Sequence, residues 1–419
     1  MRRRMRRESI VIAMLALMLA GCSGEEAERA AGDSAETGLY TERLPDAEQR
    51  EYCGEGDSAQ TLPEKNAEPE DMARRAADTL TEEEEQKLQD EAMTAAGKCA
   101  ELYRDIEVKY PGTGYSYVEH FSDEQRENVV KCLGEQGYVS VSDGVNMENY
   151  REMEEFYAAC ISGDDGMITV YNIYREGDIS ARTFVHRDGK MQSCHVLIGW
   201  QEGGMPEVKD RGSKEVVEIK LTEKGYFIYT YAETVMHGNL REYYRVKPLP
   251  EECRELTKKY IEGLSFVNYG MLAVNWDDSN VEEILTSCMF EDICRICTGE
   301  RPEVENGRIA AETYERIMTT CFPVSVEQVR EHCGYQADTD SYGYEMACSG
   351  QFPPFGEVVD YTQNEDGTIT LYVDGVWPDY NSDCAFRSRI VVQPFGDGTF
   401  RYLSNFIEAK ELALPGMTG

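Results

Sequence analysis

From Met167 onward the apolar pattern has a period of two, and the gaps between the alternating runs are short. Ile168, Val170 and Asn172 alternate with Thr169, Tyr171 and Ile173, and further runs stand near 181–186, 191–200, 215–221, 226–232 and 240–247. Arg187-Asp188-Gly189-Lys190 and Glu223-Lys224-Gly225 carry hairpin signatures between them. A connection this short can only reverse the chain, whereas a parallel neighbour needs a crossover of about a dozen residues or more. The runs therefore predict an antiparallel meander. The same signature returns downstream, with strands expected near 341–348, 356–363, 367–377, 386–394 and 399–406, and with turns at Asp366-Gly367 and Asp397-Gly398.

Helical periodicity precedes each set of strands. Thr81 and Glu84 fit a capping box, Glu82 to Glu85 suit the positive end of a helix dipole, and the pattern runs to about Lys109 before Pro111-Gly112 stops it. Ser122 with Gln125 opens a second helix, in which Val129, Val130 and Leu133 share a face and which Gly134 and Gly137 end. A third follows Asn146, with Tyr150, Met153, Phe156, Tyr157 and Cys160 at helical spacing. After the first strands, helices are expected at 251–262 and 280–297, the latter with Val281, Ile284, Leu285 and Cys288 on one face. Tyr314, Ile317, Met318 and Cys321 mark another, and Ser325 with Gln328 caps a short one after Pro323. Helices then strands, twice over, predict an α+β chain of two modules, each with helices packed on one face of an antiparallel meander sheet. The expected divisions are 71–250, a helical connector at 251–300, and 301–419, with the polar stretch Glu300 to Gly307 as the boundary.

Upstream of residue 71 the composition is of another kind. Arg2, Arg3, Arg4, Arg6 and Arg7 form a basic start, and Ile10 to Ala20 is an uninterrupted run of 11 apolar or small residues. That run is too short for a membrane-spanning helix and suits the core of an export signal. It closes on Leu19-Ala20-Gly21-Cys22, which resembles the lipobox of bacterial lipoproteins. The resemblance implies that residues 1–21 are removed and that Cys22 is diacylated, anchoring the chain in a lipid bilayer; two acyl chains hold where one is marginal. Residues 22–70 are rich in Glu, Asp, Ala, Gly and Ser, cannot bury enough apolar surface to fold, and are expected to form a disordered acidic tether containing Cys53.

The formal net charge of −37 makes nucleic acid an unfavourable partner, since it is itself a polyanion. It also suits a protein exposed to water outside the cell. Of the 14 cysteines, 13 remain once Cys22 is set aside as lipidated, so at least one stays free or joins another chain.

The strongest thiol motif is Cys294-Arg295-Ile296-Cys297. A redox pair of this spacing wants its first cysteine at a helix N-terminus, but this pair falls near the end of an expected helix. Zinc would need further ligands, and Cys321, His332 and Cys333 do not supply a recognised spacing. A structural cysteine or disulfide is the expectation, with Cys288 as a local partner of either thiol. Asp338 to Gly343 begins like a calcium loop but has Ser349 where a bidentate Glu is required, so it reads as a turn. Asp277-Asp278-Ser279-Asn280 reads as a helix cap before Val281. Trp200, Trp276 and Trp377 read as core rather than as sugar-stacking platforms. There is no nucleophile elbow, no His-Glu-x-x-His and no phosphate-binding glycine loop, so no catalytic residue, cofactor or metal is expected.

Two stretches carry a family resemblance. Pro353 to Val359, Asn364 to Leu371, Val376-Trp377 and Gln393 to Asn405 resemble an uncharacterised lipoprotein family, a domain of unknown function, found in Clostridia and related Firmicutes, and Phe121 to Tyr244 resembles its upstream half. The resemblance implies a membrane-tethered protein facing outward. It implies no activity. The expectation is thus an extracytoplasmic lipoprotein that binds an envelope ligand or protein partner. The alternative is an envelope hydrolase acting on glycan or peptide through carboxylates that spacing alone does not single out.

Overall fold

A computed structural model describes residues 80–409 except 111–114, 119–120, 236–237, 267 and 346–353. The signal, Cys22, Cys53 and the tether lie outside the described residues. The described chain is a mixed α+β protein with eight helices and several antiparallel sheets. No described helix is long and apolar enough to cross a membrane.

The chain opens with α1 (Glu82–Gly97) and the single turn α2 (Ala100–Tyr103), then the two-residue strands β1 (Val108–Lys109) and β2 (Tyr117–Val118). The long helix expected to reach Lys109 therefore ends earlier; α1 breaks at Lys98, and α2 turns Tyr103 onto Trp200 at 3.6 Å between ring centroids. Next come α3 (Asp123–Glu135), β3 (Val139–Ser142), β4 (Val145–Glu148) and α4 (Tyr150–Ser162). The meander follows: β5 (Gly166–Ile173), β6 (Ile179–Arg187), β7 (Lys190–Gln201), β8 (Met205–Leu221), β9 (Tyr226–Val235) and β10 (Gly238–Arg245). Asp188 and Gly189 both adopt positive φ, 53° and 73°, which gives the two-residue loop the twist its strands need.

The meander belongs to an eight-stranded sheet in the order β10-β9-β8-β7-β6-β5-β3-β4. This corrects the expectation of a purely antiparallel sheet with helices on one face. β3 pairs with β5 in parallel, and the connection between them passes through β4 and α4. Odd-numbered Tyr171, Ile173, Ile179 and Ala181 pack with α1 to α3, whereas even-numbered Ile168, Val170 and Phe184 pack with α4. The side-chain period of two sends these sets to opposite faces, so helices cover both.

After β10 the chain passes through α5 (Glu251–Tyr260), 3₁₀ turns at Val281–Ile284 and Ser287–Met289, α6 (Phe290–Thr298), β11 (Arg308–Ala310), α7 (Ala311–Cys321) and α8 (Val326–His332). The helix expected over 280–297 is thus corrected to two 3₁₀ turns and a shorter α-helix, because Leu285 and Thr286 are extended. β12 (Tyr335–Gln336) and β13 (Ser341–Gly343) join β11 in a three-stranded sheet, so the strand expected over 341–348 is described for three residues only. β14 (Phe355–Gln363), β15 (Ile369–Trp377), β16 (Ser382–Pro394) and β17 (Phe400–Ala409) form a four-stranded antiparallel meander in chain order. One continuous core runs from Leu249 to Tyr402, and residues expected in a connector (Cys253, Tyr260, Trp276, Phe290) are part of it.

The two sheets meet through polar groups as well as apolar ones. Tyr226, Ile228, Phe355 and Val376 form a small buried cluster. Beside it Arg245 donates Nε to Glu357 Oε1 at 2.6 Å and Nη2 to Oε2 at 3.1 Å, and the Tyr226 hydroxyl donates to Oε1 at 2.7 Å. Arg387 makes the same fork on Asp374, at 2.6 and 3.2 Å, and the Lys224 ammonium reaches that carboxylate from the first sheet. Glu357 and Asp374 stand opposite each other on β14 and β15. Such buried carboxylates persist only when cations and donors replace water, which these do.

Candidate functional site

The inward-facing positions of β6 read Ser180, Arg182, Phe184 and His186, and the second of these is a charge among apolar neighbours. Register carries the same face across the sheet: Phe184 is opposite Ser193, Arg182 opposite His195, Ser193 opposite Lys214, and Tyr229 opposite Glu242. α4 packs on the β3 and β5 end of this face, and its Tyr157 meets Phe227 of β9 at 6.3 Å. Beyond that helix the face turns polar.

Arg182 is the floor of this polar region. Its guanidinium donates to the Tyr231 hydroxyl, to Ser193 Oγ at 3.4 Å and, as an ion pair, to Glu242 Oε2 at 3.1 Å. Its carbon Cζ lies 5.7 Å from the Tyr229 ring and 6.0 Å from the Tyr231 ring, close enough for cation–π attraction. The Tyr229 hydroxyl donates to Glu242 at 2.7 Å. Burial raises the Tyr229 and Tyr231 phenols and holds Tyr244 up at about 12 against the pull of Arg182, so all three are neutral. The arginine side chain is only 10% exposed, yet its Nε–H is buried without an acceptor. An unmet donor of this kind costs roughly 1–3 kcal/mol. Around the rim stand Lys214 bonded to Glu233 at 2.8 Å and His195 bonded to Asp210 at 3.2 Å. The arrangement offers a fixed planar cation at the base, hydroxyl donors beside it, and both signs of charge at the edge. It suits recognition of an oxygen-rich ligand.

A second buried charge lies on the opposite face. Lys209 Nζ is 2.9 Å from both carboxylate oxygens of Asp178, and both side chains are under 10% exposed. Burial pushes the Asp178 carboxyl up to about 6 against the pull of the Lys209 ammonium. Nearby Glu207 accepts from Ser116 at 2.6 Å and from Gln201 at 2.7 Å, and those bonds hold it below the usual carboxylate range.

The sequence motifs fare differently. The Cys294–Cys297 spacing does not form a thiol pair: Cys297 is bonded to Cys321 of α7, while Cys294 is buried with its sulfur 3.8 Å from Thr298 Oγ1 and 3.6 Å from the Glu300 carbonyl. Positions three apart on α6 are neighbours on one face, and from it Cys294 packs into the core while Cys297 reaches Cys321 on the adjoining helix. Burial raises the Cys294 thiol, and it pushes Cys333 up to about 11. Cys288 stands instead near Glu345, 3.3 Å away. Among the described residues no group of three or more His, Cys, Asp and Glu is arranged to hold a metal ion. Trp200, Trp276 and Trp377 are all buried. The cap expected before Val281 does not form: Asn280 makes no side-chain bond to the first 3₁₀ turn, and Asp277 instead accepts from Ser279 N at 2.9 Å within the preceding turn. Arg182 was not singled out by any motif; the available signal was an arginine at an inward parity of a strand.

Residues 85–416 match a family of unknown function, DUF6070. The chain belongs to the DUF6070 family. No curated protein and no solved structure matches it. The match spans both sheets, so the Arg182 face, the Asp178–Lys209 pair and the junction at Glu357 and Asp374 all fall inside the DUF6070 region.

Proposed function

We propose that this DUF6070 protein is a membrane-anchored extracytoplasmic lipoprotein, held through diacylated Cys22, that binds an envelope ligand through the Arg182 face. Leu19-Ala20-Gly21-Cys22 supports the anchor, and the composition of residues 22–70 supports a tether that displays the folded part away from the bilayer. On this reading the folded part is two α+β modules, one built on each large sheet and joined near Lys247. The observation that carries the binding role is Arg182: a nearly buried guanidinium with an unpartnered Nε–H, set among tyrosine and serine hydroxyls. The ligand class it fits is a small molecule bearing a carboxylate or phosphate, whose oxygen would accept a charge-assisted bond from the Nε–H that the protein leaves unmet. Lys214 at the rim adds a second cation.

The test is a thermal-shift screen of the full chain against carboxylated and phosphorylated envelope fragments, followed by titration calorimetry. Arg182→Lys should weaken any hit by about tenfold or more, since lysine has no N–H at the Nε position to offer the ligand. A hit that binds Arg182→Lys and Lys214→Ala as well as the parent chain would place the ligand elsewhere.

The second reading is an envelope hydrolase acting on glycan or peptide. One observation favours it: neighbouring carboxyls pushed apart, Asp178 upward and Glu207 downward, the pattern by which acid and base roles are divided. Against it, Lys209 occupies both Asp178 oxygens. Glycan or peptide release from purified cell wall that vanishes in Asp178→Asn would favour this reading over binding.

A further inference from the structure

Two thiols in the first half of the fold face each other across a helix boundary. Cys99 sits between α1 and α2 and is fully buried. Cys132 sits on α3 and is partly exposed, with its sulfur 3.5 Å from that of Cys99 and 3.7 Å from the Lys98 carbonyl. They are 33 residues apart in the chain, and both are free thiols here. Neither belongs to the Arg182 face or to the Cys297–Cys321 pair. Lys98 is a charged neighbour of Cys99, and its ammonium lies over the Tyr138 ring at 4.8 Å.

We propose that Cys99 and Cys132 are a dithiol that closes to a disulfide when the protein meets a small disulfide oxidant, clasping α3 to the α1–α2 corner. The geometry assigns each sulfur a part. Cys132 is the accessible one. Its thiolate attacks one sulfur of the oxidant, forming a mixed disulfide and releasing the oxidant's other half as a thiolate. Cys99 then loses its proton to water and attacks the Cys132 sulfur; the second half of the oxidant leaves as a thiolate. The protein loses two protons and two electrons, and the oxidant takes them up to become two thiols. The sulfurs must approach by roughly 1.5 Å to reach bonding distance. Burial holds the Cys99 thiol well above its ordinary range, with the neighbouring Cys132 adding to the effect. The second step is therefore the slow one, and the mixed disulfide accumulates first. Closing a loop of this length removes freedom from the unfolded chain, so oxidation raises stability.

The test uses the full chain, reduced and then treated with oxidised glutathione. Samples are quenched with N-ethylmaleimide at intervals, digested without reduction and mapped by mass spectrometry. The expected course is glutathione on Cys132 first, then a Cys99–Cys132 cross-linked peptide two hydrogens lighter than its parts. The thermal midpoint should rise with the cross-link and not in oxidised Cys132→Ser. Cys99 still alkylated after prolonged oxidation and denaturation, or Cys132 linked to any other cysteine, would overturn the proposal. Because the mapping needs no variant, misfolding of Cys132→Ser cannot obscure the result.

Discussion

At the scale of single residues, the charges inside this protein are held in two ways. Lys209 and Asp178 satisfy each other, and the pair is closed: both carboxylate oxygens are used. Removing one partner strands the other. Lys209→Met should therefore destabilise the chain by about 3–5 kcal/mol, while Lys209→Met with Asp178→Leu should recover most of the loss. Urea midpoints of the two variants against the parent measure this, and an equal loss in both would show that packing rather than charge sets the cost. Arg182 is held the other way. Glu242, Tyr231 and Ser193 occupy part of its fork, and one donor remains. A closed pair reads as structure; an arginine with a donor to spare reads as a place for something to bind. Neither distinction was legible in the sequence, where Arg182 and Lys209 are two basic residues in strand-forming text.

At the scale of elements, local chemistry was readable. The three expected capping boxes form, at Thr81 with Glu84, Ser122 with Gln125 and Ser325 with Gln328. Each cap meets backbone N–H groups that the helix cannot, so Ser122→Ala should cost about 1 kcal/mol, seen as a lower urea midpoint. The hairpins near residues 366 and 397 add a pH term. Asp366 and Asp397 accept from the side-chain and backbone donors of Thr368 and Thr399, which lowers both from the ordinary 3.8. A lowered folded-state value means that the unfolded chain binds protons first. The stability these turns add is complete above pH 3.8 and is lost as pH falls through the lower folded values. Asp178 has the opposite sign: its contribution is complete below 3.8 and is lost as pH rises through about 6. Thr368→Val with Thr399→Val should flatten the acid limb of a stability–pH curve and leave the limb near pH 6 unchanged. A parallel shift of the whole curve would contradict that sign.

Other elements were hidden for physical reasons. β3 is four residues long and buried along its whole length, so its Val-Ser-Val-Ser text shows no solvent side to alternate with. The pattern at Val281, Ile284 and Leu285 suits a 3₁₀ turn as well as an α-helix, because a spacing of three serves both over so short a run. β8 runs from Met205 to Leu221, well ahead of the expected start, since its first half carries Glu207, Lys209, Asp210 and Arg211. Their partners, among them Asp178 and Gln89, are distant in the chain.

At the scale of the whole molecule, the contact between the two sheets depends on Glu357 and Asp374. Glu357→Gln keeps the shape but removes the charge that Arg245 grips with two bonds. The expected loss is roughly 1.5–3 kcal/mol. Hydrogen exchange should then rise at Tyr226 and Ile228 on one side and at Phe355 and Val376 on the other, the residues that share the buried cluster. Exchange rising in one sheet alone would mean that the bond serves that sheet and not the contact. The proposed lipid anchor is tested at the same scale. Cys22→Ala should leave the chain unprocessed or move it out of the membrane fraction, and normal processing with full membrane retention would count against lipidation.

The sequence by itself determined what depends on near neighbours: the caps, the reversing turns at Asp188-Gly189, Asp366-Gly367 and Asp397-Gly398, and hence the two meanders. These follow from backbone donors, positive φ and short connections, which a few adjacent residues decide. Tertiary structure alone decided which charges meet across the sheets. Arg182 meets Tyr231 and Glu242, and Arg245 meets Glu357, only because register and sheet packing bring together groups 49, 60 and 112 residues apart. A buried charge is satisfied by whatever the fold places within about 3 Å of it, and sequence distance carries no information about that.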